Sequence, residues 1–371
     1  MLFHKCTSAC PVQCPADERG QAGGAMHGKR KTLTVDLHCH AMFPEVEKLV
    51  AGLPQKAAEP EMMLRAMGSE SVQYNNTHML PQVGPKLVNL ELRLRDMDAM
   101  GVDVQLVSPT STQHYYWAEP DLSEEVVRIQ NEGIAQLCAT HPDRFVGLGT
   151  LALQHPDLAI AQLEHAVRKL GLRGVEISTM IGGKELADPS LERFWAKVEE
   201  LGCIVFIHPF GTTLGSRLDR FYLQNVIGQP IETTIALSHL IFGGVLDRYP
   251  GVKILAAHGG GYLPSYIGRS NHAWQARDDA HKSKKAPGEY LKQIWFDHLV
   301  YEPEAMRHLV AEAGASQVVI GTDYPFDMGH YAIHDLLDAV PGLSESDKEL
   351  ILHKNAERLL GVAFSDMRTK R

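Results

Sequence analysis

Eight short hydrophobic runs rich in β-branched residues follow Lys31, and most are separated by stretches whose apolar residues recur three and four positions apart. The first pattern is typical of buried strands and the second of amphipathic helices. The predicted strands are Leu33–His38, Val102–Ser108, Phe145–Leu151, Gly174–Ile177, Ile204–His208, Val252–Ala257, Ile294–Phe296 and Val318–Thr322. The predicted helices are Glu124–Ala139, Leu158–Leu170, Leu191–Leu201, Ile231–Leu246 and Pro303–Ala313.

A strand followed by a helix, repeated eight times, predicts an α/β fold of the (β/α)8 type, a TIM barrel. A doubly wound open sheet is the alternative. Such a sheet often carries a glycine-rich nucleotide-binding turn after its first strand, whereas the first strand here leads into Asp36-Leu37-His38-Cys39-His40. The barrel is therefore favoured.

The segment 41–90 is too long for an ordinary loop, so we predict an insertion over the barrel mouth, where such a lid could exclude water. A C-terminal helix is predicted from Ser344 to Leu360, with a capping box between Ser344 and Asp347 and with Gly361 as its stop. The predicted division of the chain is a flexible extension over residues 1–31, one barrel domain over 32–361 and a tail over 362–371.

Composition narrows the class of partner. The chain has 371 residues, 44% of them hydrophobic, which is enough to bury a large core. Its net charge of −9 supplies no broad positive field, which argues against nucleic acid or an anionic membrane surface as a partner. The sequence contains no uncharged apolar stretch of about 18 residues, so no transmembrane helix is predicted. A small molecule is the expected ligand.

The cysteines favour a reducing compartment. Cys39, Cys138 and Cys203 lie far apart in apolar stretches, as expected of reduced thiols in the cytoplasm, which is the predicted location. Three more lie in the first 30 residues and could bind a metal, but no fourth ligand at a recognised spacing accompanies them, so a flexible extension is favoured. They are Cys6, Cys10 and Cys14.

Candidate metal ligands lie at the ends of several predicted strands. His38 and His40 are two residues apart and therefore point to the same side of strand one. His208 ends strand five, His258 ends strand six and Asp323 follows strand eight. In a barrel these ends share one face, so the side chains should converge there. The alternative, that each is a satisfied core residue, does not account for their joint placement.

A site made of three of these imidazoles and the one carboxylate, with no thiolate, suits zinc first and manganese, iron or cobalt next. Such an ion can lower the pKa of a bound water from about 16 to about 7, or can polarise a coordinated oxygen. His258 is then free to act as a general acid or base near neutral pH, with a structural imidazole as the alternative. Residues 259–261, directly after His258, are glycines and carry no Cβ, which predicts close approach of a ligand.

Asp323 precedes a proline-fixed turn, so its side chain should be held in place, where it can both bind the metal and shuttle protons. Glu176, inside strand four, could bridge a second metal or orient a ligating histidine, and we favour orientation. Arg269, Trp274 and Arg277 are predicted to share one helix, from which the guanidinium groups could bind a substrate carboxylate, unless this is simply an exposed face.

Four motifs together resemble the amidohydrolase superfamily: Asp36–His40, His208–Phe210, Ala257–Gly261 and Gly321–Phe326. Three further runs are similar to the aminocarboxymuconate-semialdehyde decarboxylase group of that superfamily: Met97–Gln105, Glu232–Thr234 and Gly268–Trp274. The resemblance extends from about Thr34 to Gly361.

The resemblance implies a mononuclear zinc site, a homodimer and a decarboxylation without hydrolysis. The implied ligands are His38, His40, His208 and Asp323, and the implied catalytic residues are His258 and Asp323. Arg269 would cross the dimer interface to bind the substrate carboxylate, and Arg277 matches a second arginine of the motif. Phe210 and Trp274 are the remaining predicted substrate-binding residues.

Two departures from that group change the predicted pocket. The family's insertion carries a substrate-binding arginine where this chain has His78-Met79-Leu80-Pro81, and tryptophans after the His-Pro motif are replaced by Phe210 and by Phe221 or Asn225. A hydroxylated aromatic or heteroaromatic carboxylate is therefore at least as good a candidate substrate as an amino-substituted muconate semialdehyde.

Three functions stay open on the sequence. The first is a metal-dependent nonoxidative decarboxylase, with His258 and Asp323 in proton transfer. The second is a metal-dependent hydrolase or hydratase acting on a lactone or ring-cleavage product, which would make a new carboxylate or alcohol without releasing carbon dioxide. The third is a noncatalytic barrel, which would bind no ion.

Overall fold

The computed structural model describes residues 32–364. The predictions about the extension over 1–31, its three cysteines, and most of the tail therefore lie outside the described residues. The division of the chain into extension, barrel and tail stays a prediction.

Eight parallel strands form the barrel wall, in two hydrogen-bonded groups. Single bridges join the groups: Gly149 pairs with Val175, and Asp36 pairs with Ile320 across the seam between the first and last strands. The predicted TIM barrel is confirmed. The strands are β1 Val35–Ala41, β2 Val104–Pro109, β3 Phe145–Gly147, β4 Gly174–Ile177, β5 Ile204–Ile207, β6 Lys253–Ala256, β7 Ile294–Asp297 and β8 Val318–Val319.

Helices connect successive strands, and one of the predicted helices is divided. The predicted helix Ile231–Leu246 becomes α8 and α9, because Gly244 between them has a left-handed φ of 69°. The helices are α1 Pro44–Val50, α2 Pro54–Tyr74, α3 Leu80–Val88, α4 Leu90–Met100, α5 Pro120–Thr140, α6 Pro156–Arg168, α7 Glu192–Leu201, α8 Gln229–Phe242, α9 Val245–Arg248, α10 Ile267–Ala276, α11 Pro303–Ala313, α12 Ile333–Ala339, α13 Glu345–Glu349 and α14 Asn355–Leu360.

A β-bulge in β1 sets the direction of the two histidines of this strand. Asp36 pairs with Gln105 and Cys39 pairs with Val107, so β1 has one more residue than β2 between these pairs. Leu37 consequently packs in the hydrophobic cluster inside the barrel, whereas Cys39 packs in the cluster between strands and helices. Residues two apart would otherwise share a face. The strand also runs three residues beyond its predicted end, so His38 and His40 lie within it.

The insertion between β1 and β2 is helical and packs on a loop of the barrel mouth. It contains α1, α2, a π-helical turn over Asn75–Met79 and α3. Gly68 in α2 has φ 75°, and a Cβ there would lie 1.8 Å from the carbonyl oxygen of Asp219, in the loop that follows β5. Only glycine allows this approach.

The opposite end of the barrel is closed. The inner cluster includes Leu37, Leu106 and Phe206, and α14 covers it with Leu359. The C-terminal segment forms as predicted: Ser344 caps α13 with a capping box to Asp347, and Gly361 ends α14 with φ 65°. A site inside the barrel therefore opens only at the carboxyl ends of the strands. Among residues 32–364, no helix combines the length and the apolar character needed to span a bilayer.

Candidate metal centre

Four buried side chains converge at the carboxyl ends of the strands: His38 and His40 from β1, His208 just after β5, and Asp323 after β8. Their potential ligand atoms all lie within 4.8 Å of one another. The Nε2 atoms of His38 and His40 are 3.1 Å apart, and each lies 3.4–3.5 Å from Oδ1 of Asp323. Ligands bound at 2.0–2.2 Å to one ion are separated by about 3.0–3.6 Å. The cluster has the dimensions of a metal site.

His208 supplies an independent test of whether a metal fits. Both of its ring nitrogens are buried, and neither has a hydrogen-bond partner within residues 32–364. An unsatisfied buried polar group costs about 1–3 kcal/mol. Burial, reinforced by His40, His38 and His258, lowers the pKa of His208 well below its usual value, so the ring is neutral and offers a lone pair. A cation bound by one ring nitrogen satisfies that atom.

Asp323 has the properties of an anionic ligand held in place. Burial alone would raise its pKa, but His38, His258 and His40 together lower it well below the usual value. Its backbone has a left-handed φ of 57°, which is costly for a residue other than glycine and is common at functional sites. Its backbone N–H donates to the carbonyl oxygen of His38, 2.8 Å away, so the last strand end is tied to the first.

Behind His38 lies Asp297, at the end of β7. The Nδ1 atom of His38 lies 2.7 Å from Oδ2 of Asp297, within hydrogen-bond distance. Asp297 was not among the predicted site residues. The available signal was an acidic residue directly after the apolar run Ile294–Phe296, at the same strand edge as the predicted ligands.

Behind His40 lies Glu176. Oε2 of Glu176 is 3.5 Å from Nδ1 of His40 and accepts a hydrogen bond from the Ser108 hydroxyl. Burial raises the pKa of Glu176 to about 7, against the opposing effects of His40 and Ser108. Among the described residues, Oε1 of Glu176 finds no hydrogen-bond partner, and it lies 3.5 Å from Nε2 of His114. Glu176 thus faces the outer nitrogen of a candidate ligand, which is the arrangement expected of an orienting residue.

His258 lies beside the cluster without belonging to it. Its ring centroid is 5.1 Å from that of His208 and 5.3 Å from that of His38, and its Nε2 is 3.7 Å from Oδ2 of Asp323. Its side chain is 13% exposed, more than the imidazoles of His38 and His40. A group placed in this way can reach a substrate bound at the cluster.

The glycines after His258 serve the fold rather than ligand approach, which corrects the sequence-based expectation. All three have a left-handed φ of 60–76°. A Cβ on Gly259 would lie 2.4 Å from the Val300 side chain, and one on Gly261 would lie 2.0 Å from the carbonyl oxygen of Pro230. The close approach that the glycines permit is by other parts of the protein.

Two further buried charges hold the backbone of β1. Arg93, in α4, donates to the carbonyl oxygen of His40 and to Oε1 of Gln105. Asp36 accepts hydrogen bonds from His38 N–H, from Gln105 and from both the backbone and the hydroxyl of Thr322. Neither role was predicted, since the partners of both residues come from other elements.

The predicted substrate-binding residues are exposed or half-buried, in contrast to the four buried side chains of the cluster. Arg269 is exposed on α10. Arg277 lies one residue beyond that helix rather than on it, and forms an exposed ion pair with Asp279. The half-buried Trp274 donates to the carbonyl oxygen of Ser283. Phe210, in the loop after β5, is 43% exposed.

His298 and Tyr301, two further residues that follow β7, differ in exposure. His298 is fully buried, and its Nδ1 accepts a hydrogen bond from the backbone of Gly321. Tyr301 is 41% exposed and donates to the carbonyl oxygen of Met328.

A (β/α)8 barrel with three histidines and an aspartate gathered at its strand ends defines the class of metal-dependent barrel enzymes. Comparison with known proteins narrows this class. A family model described as amidohydrolase matches residues 35–362. The chain is 37% identical to 2-amino-3-carboxymuconate-6-semialdehyde decarboxylase of Dictyostelium discoideum, over 73% of this chain and 76% of that protein.

A gamma-resorcylate decarboxylase of Rhodococcus jostii is 28% identical over 72% of this chain and 86% of its own length. The fold matches 5-carboxyvanillate decarboxylase of Novosphingobium aromaticivorans, solved with manganese and 4-hydroxy-3-methoxy-5-nitrobenzoic acid, with a TM-score of 0.79 and 23% identity, over 90% of this chain and 97% of that one. The chain belongs to the amidohydrolase family. Within it, the chain groups with the decarboxylases, as the sequence motifs predicted.

Proposed function

We propose that this protein is a divalent-metal-dependent, nonoxidative decarboxylase of a small carboxylate that carries a neighbouring hydroxyl, amino or enol group. The observation that carries the proposal is the four-ligand cluster with a separate, partly exposed imidazole beside it. The relatives named above supply the substrate range: amino-substituted muconate semialdehydes and hydroxylated aromatic acids. We include heteroaromatic carboxylic acids as further candidate substrates.

The residues proposed to hold the ion are His38, His40, His208 and Asp323, with zinc as the first candidate and manganese as the second. A bound ion would act as a Lewis acid toward an oxygen of the substrate. The chemistry of the donor set and the unsatisfied nitrogens of His208 support this assignment.

His258 is proposed to move the proton. Loss of carbon dioxide breaks one carbon–carbon bond and leaves its electron pair on the substrate, where a proton must be added to carbon. Nε2 of His258 lies 3.7 Å from Oδ2 of Asp323, a distance that one bridging water would span, so we propose that His258 gives the proton to the substrate carbon and exchanges it with Asp323 through water.

The test combines metal analysis with a substrate screen. Purified protein, prepared without chelator, is analysed for bound metal and is then incubated with hydroxybenzoates, hydroxypicolinates and muconate semialdehydes while carbon dioxide is measured. We expect about one ion per chain and stoichiometric carbon dioxide from at least one class. A new carboxylate without gas would contradict the proposal and favour a hydrolase. Protein without bound metal would contradict it too.

We further propose a homodimer in which Arg269 completes the partner's site. The exposed position of Arg269 supports this, because an exposed side chain is available to a partner chain. Exposed aromatic residues lie on the same surface: Tyr262 is 40% exposed and Tyr266 is 69% exposed. Apolar area of this kind is typical of interfaces.

Subunit mixing tests the dimer. Arg269→Ala and His258→Ala should each be inactive alone. In a mixed dimer, one site has His258 from one chain and Arg269 from the other, so a 1:1 mixture should recover about one quarter of the wild-type activity. Arg277→Ala mixed with His258→Ala is the comparison for the second arginine. No recovery with Arg269→Ala, or a monomer on sedimentation, would contradict the proposal.

We place the protein in the cytoplasm, in keeping with three separate free thiols at Cys39, Cys138 and Cys203. Fractionation of the native cells tests this directly.

A further inference from the structure

One buried carboxylate, that of Asp297, contacts both parts of the candidate site. Its Oδ2 lies 2.7 Å from Nδ1 of His38 and accepts from the backbone N–H of His258 at 2.9 Å. Its Oδ1 accepts from the N–H groups of Gly259 at 2.8 Å and Leu299 at 3.1 Å. The residue is fully buried. Three backbone N–H donors and one imidazole nitrogen therefore converge on one side chain, which leaves it a single orientation.

These contacts determine which nitrogen of His38 carries the proton. An ionised carboxylate only accepts hydrogen bonds. Three backbone N–H groups donate to Asp297, one to Oδ2 and two to Oδ1, so both of its oxygens act as acceptors. Nδ1 of His38 must therefore be the N–H, and Nε2, which faces His40 and Asp323, keeps its lone pair. This is the tautomer that binds a cation through Nε2.

The same carboxylate holds the turn that carries His258. His258 has a left-handed φ of 56°, and Gly259 after it has φ 60°. Consecutive left-handed residues are unfavourable unless the surroundings fix them. The N–H groups of both residues donate to Asp297, so their backbone is fixed relative to His38.

We propose that Asp297 is a positioning residue that sets the metal-binding tautomer of His38 and fixes His258 at a constant position relative to the metal ligands. The inference rests on the proposed function for the roles of His38 and His258. β7 supplies none of the four proposed ligands. Through Asp297 it would instead connect His38, in the metal-binding part of the site, with His258, in the proton-transfer part.

Asp297→Asn tests the proposal, with Asp36→Asn as the matched control. An asparagine can place its amide N–H₂ against Nδ1 of His38, which favours the wrong tautomer. We expect Asp297→Asn to weaken zinc and manganese binding about 10- to 100-fold, as for other residues that orient a ligating histidine. Asp36 is equally buried and accepts four hydrogen bonds within residues 32–364, none of them from an imidazole nitrogen.

Competition with a chromophoric chelator measures both affinities, and circular dichroism checks the fold of each variant. Asp36→Asn removes a charge at similar depth, so we expect a loss below about tenfold. Equal losses in the two variants would mean that charge or general stability is responsible, and would overturn the assignment. Unchanged affinity in Asp297→Asn would overturn it as well.

A measurement on the wild-type protein covers the case in which Asp297→Asn does not fold. In metal-free protein with ¹⁵N-labelled histidine, the ring signals of His38 are identified by their loss in His38→Asn. A proton on Nδ1 supports the assignment, and a bare Nδ1 with a proton only on Nε2 overturns it. Because this readout needs neither metal nor turnover, it can succeed or fail independently of the decarboxylase proposal.

Discussion

The two histidines of β1 are the same residue type, two positions apart, yet the protein supports them differently. His38 is backed by Asp297 at 2.7 Å, and every oxygen of that carboxylate accepts further hydrogen bonds. His40 faces Glu176 at 3.5 Å, and Oε1 of Glu176 has no hydrogen bond within the described residues. His114, which Glu176 faces, lacks hydrogen bonds at both ring nitrogens too.

Two ligands from one strand can therefore differ in how firmly the protein holds them. On the Asp297 side, the orientation of the imidazole and the nearby backbone are fixed together. On the Glu176 side, a gap of 3.5 Å and unsatisfied atoms leave room for a small shift of His40.

The largest effect is expected for His208→Ala, because His208 is the one candidate imidazole ligand with no hydrogen bond from the protein within residues 32–364. Loss of a ligand should exceed the effect of losing an orienting residue, so we expect metal affinity to fall by more than about 100-fold and activity to be lost. Bound metal per chain and carbon dioxide release measure this. His239→Ala, a surface change, is the control, and an active, metal-loaded His208→Ala would disprove the ligand assignment.

His258→Ala should separate proton transfer from metal binding. We expect turnover to fall about 10²- to 10⁴-fold, the range for loss of a general acid or base, while the ion stays bound. Steady-state carbon dioxide release and metal analysis on the same sample decide the point. Retained turnover would remove His258 from the chemistry, and loss of the ion would show that it is needed for metal binding.

Glu176→Gln should show the weaker support of His40. We expect metal affinity to fall by less than about tenfold, and by less than in Asp297→Asn, because the contact with His40 is longer and Ser108 stays near Nδ1 of His40 at 3.4 Å. Chelator competition on both variants under the same conditions gives the ranking. A loss in Glu176→Gln equal to or larger than that in Asp297→Asn would reverse the comparison.

The smallest effect concerns acid stability on the Asp297 side. Burial, followed by His330, lowers the pKa of His298 to about 3, against about 6.5 in the unfolded chain. Between these values the unfolded chain binds the extra proton, so the free energy of unfolding falls as the pH falls below about 6.5. His298→Asn removes this group and keeps an acceptor for the N–H of Gly321.

We therefore expect the loss of stability between pH 7 and pH 5.5 to be smaller in His298→Asn by about 1 kcal/mol. Urea unfolding of metal-free protein measures it, so that release of metal by acid does not contribute. Burial lowers the pKa of His114 to about 3 as well, so His114→Asn should also reduce the fall in the free energy of unfolding between pH 7 and pH 5.5. Parallel pH curves for wild type and His298→Asn would contradict this prediction.

The sequence predicted the barrel and the convergence of His38, His40, His208 and Asp323, because alternating strand and helix patterns place strand ends on one face. It did not predict the β-bulge that turns both histidines inward, since a bulge is a property of how two strands pair. Such a feature becomes visible only when the register is known.

Residues behind the ligands were harder to predict for a related reason. Asp297 contacts His38 across a sequence separation of 259 residues, and nothing local distinguishes it from any acidic residue at a strand end. Arg93 was missed similarly, since a buried arginine on a helix follows no hydrophobic pattern. The glycines after His258 were assigned to ligand approach, whereas packing against Val300, Phe296 and Pro230 requires them.

The seam between β1 and β8 has a consequence for the order in which the protein can mature. Two proposed ligands come from the first strand and one from the residues after the last, and Asp36 ties these strands together through Thr322. A nascent chain in which Asp323 has not yet been made lacks one of the four proposed ligands. The full set of ligands can therefore assemble only after the last strand has been translated, and a molecule loaded through all four ligands is one whose barrel has already closed.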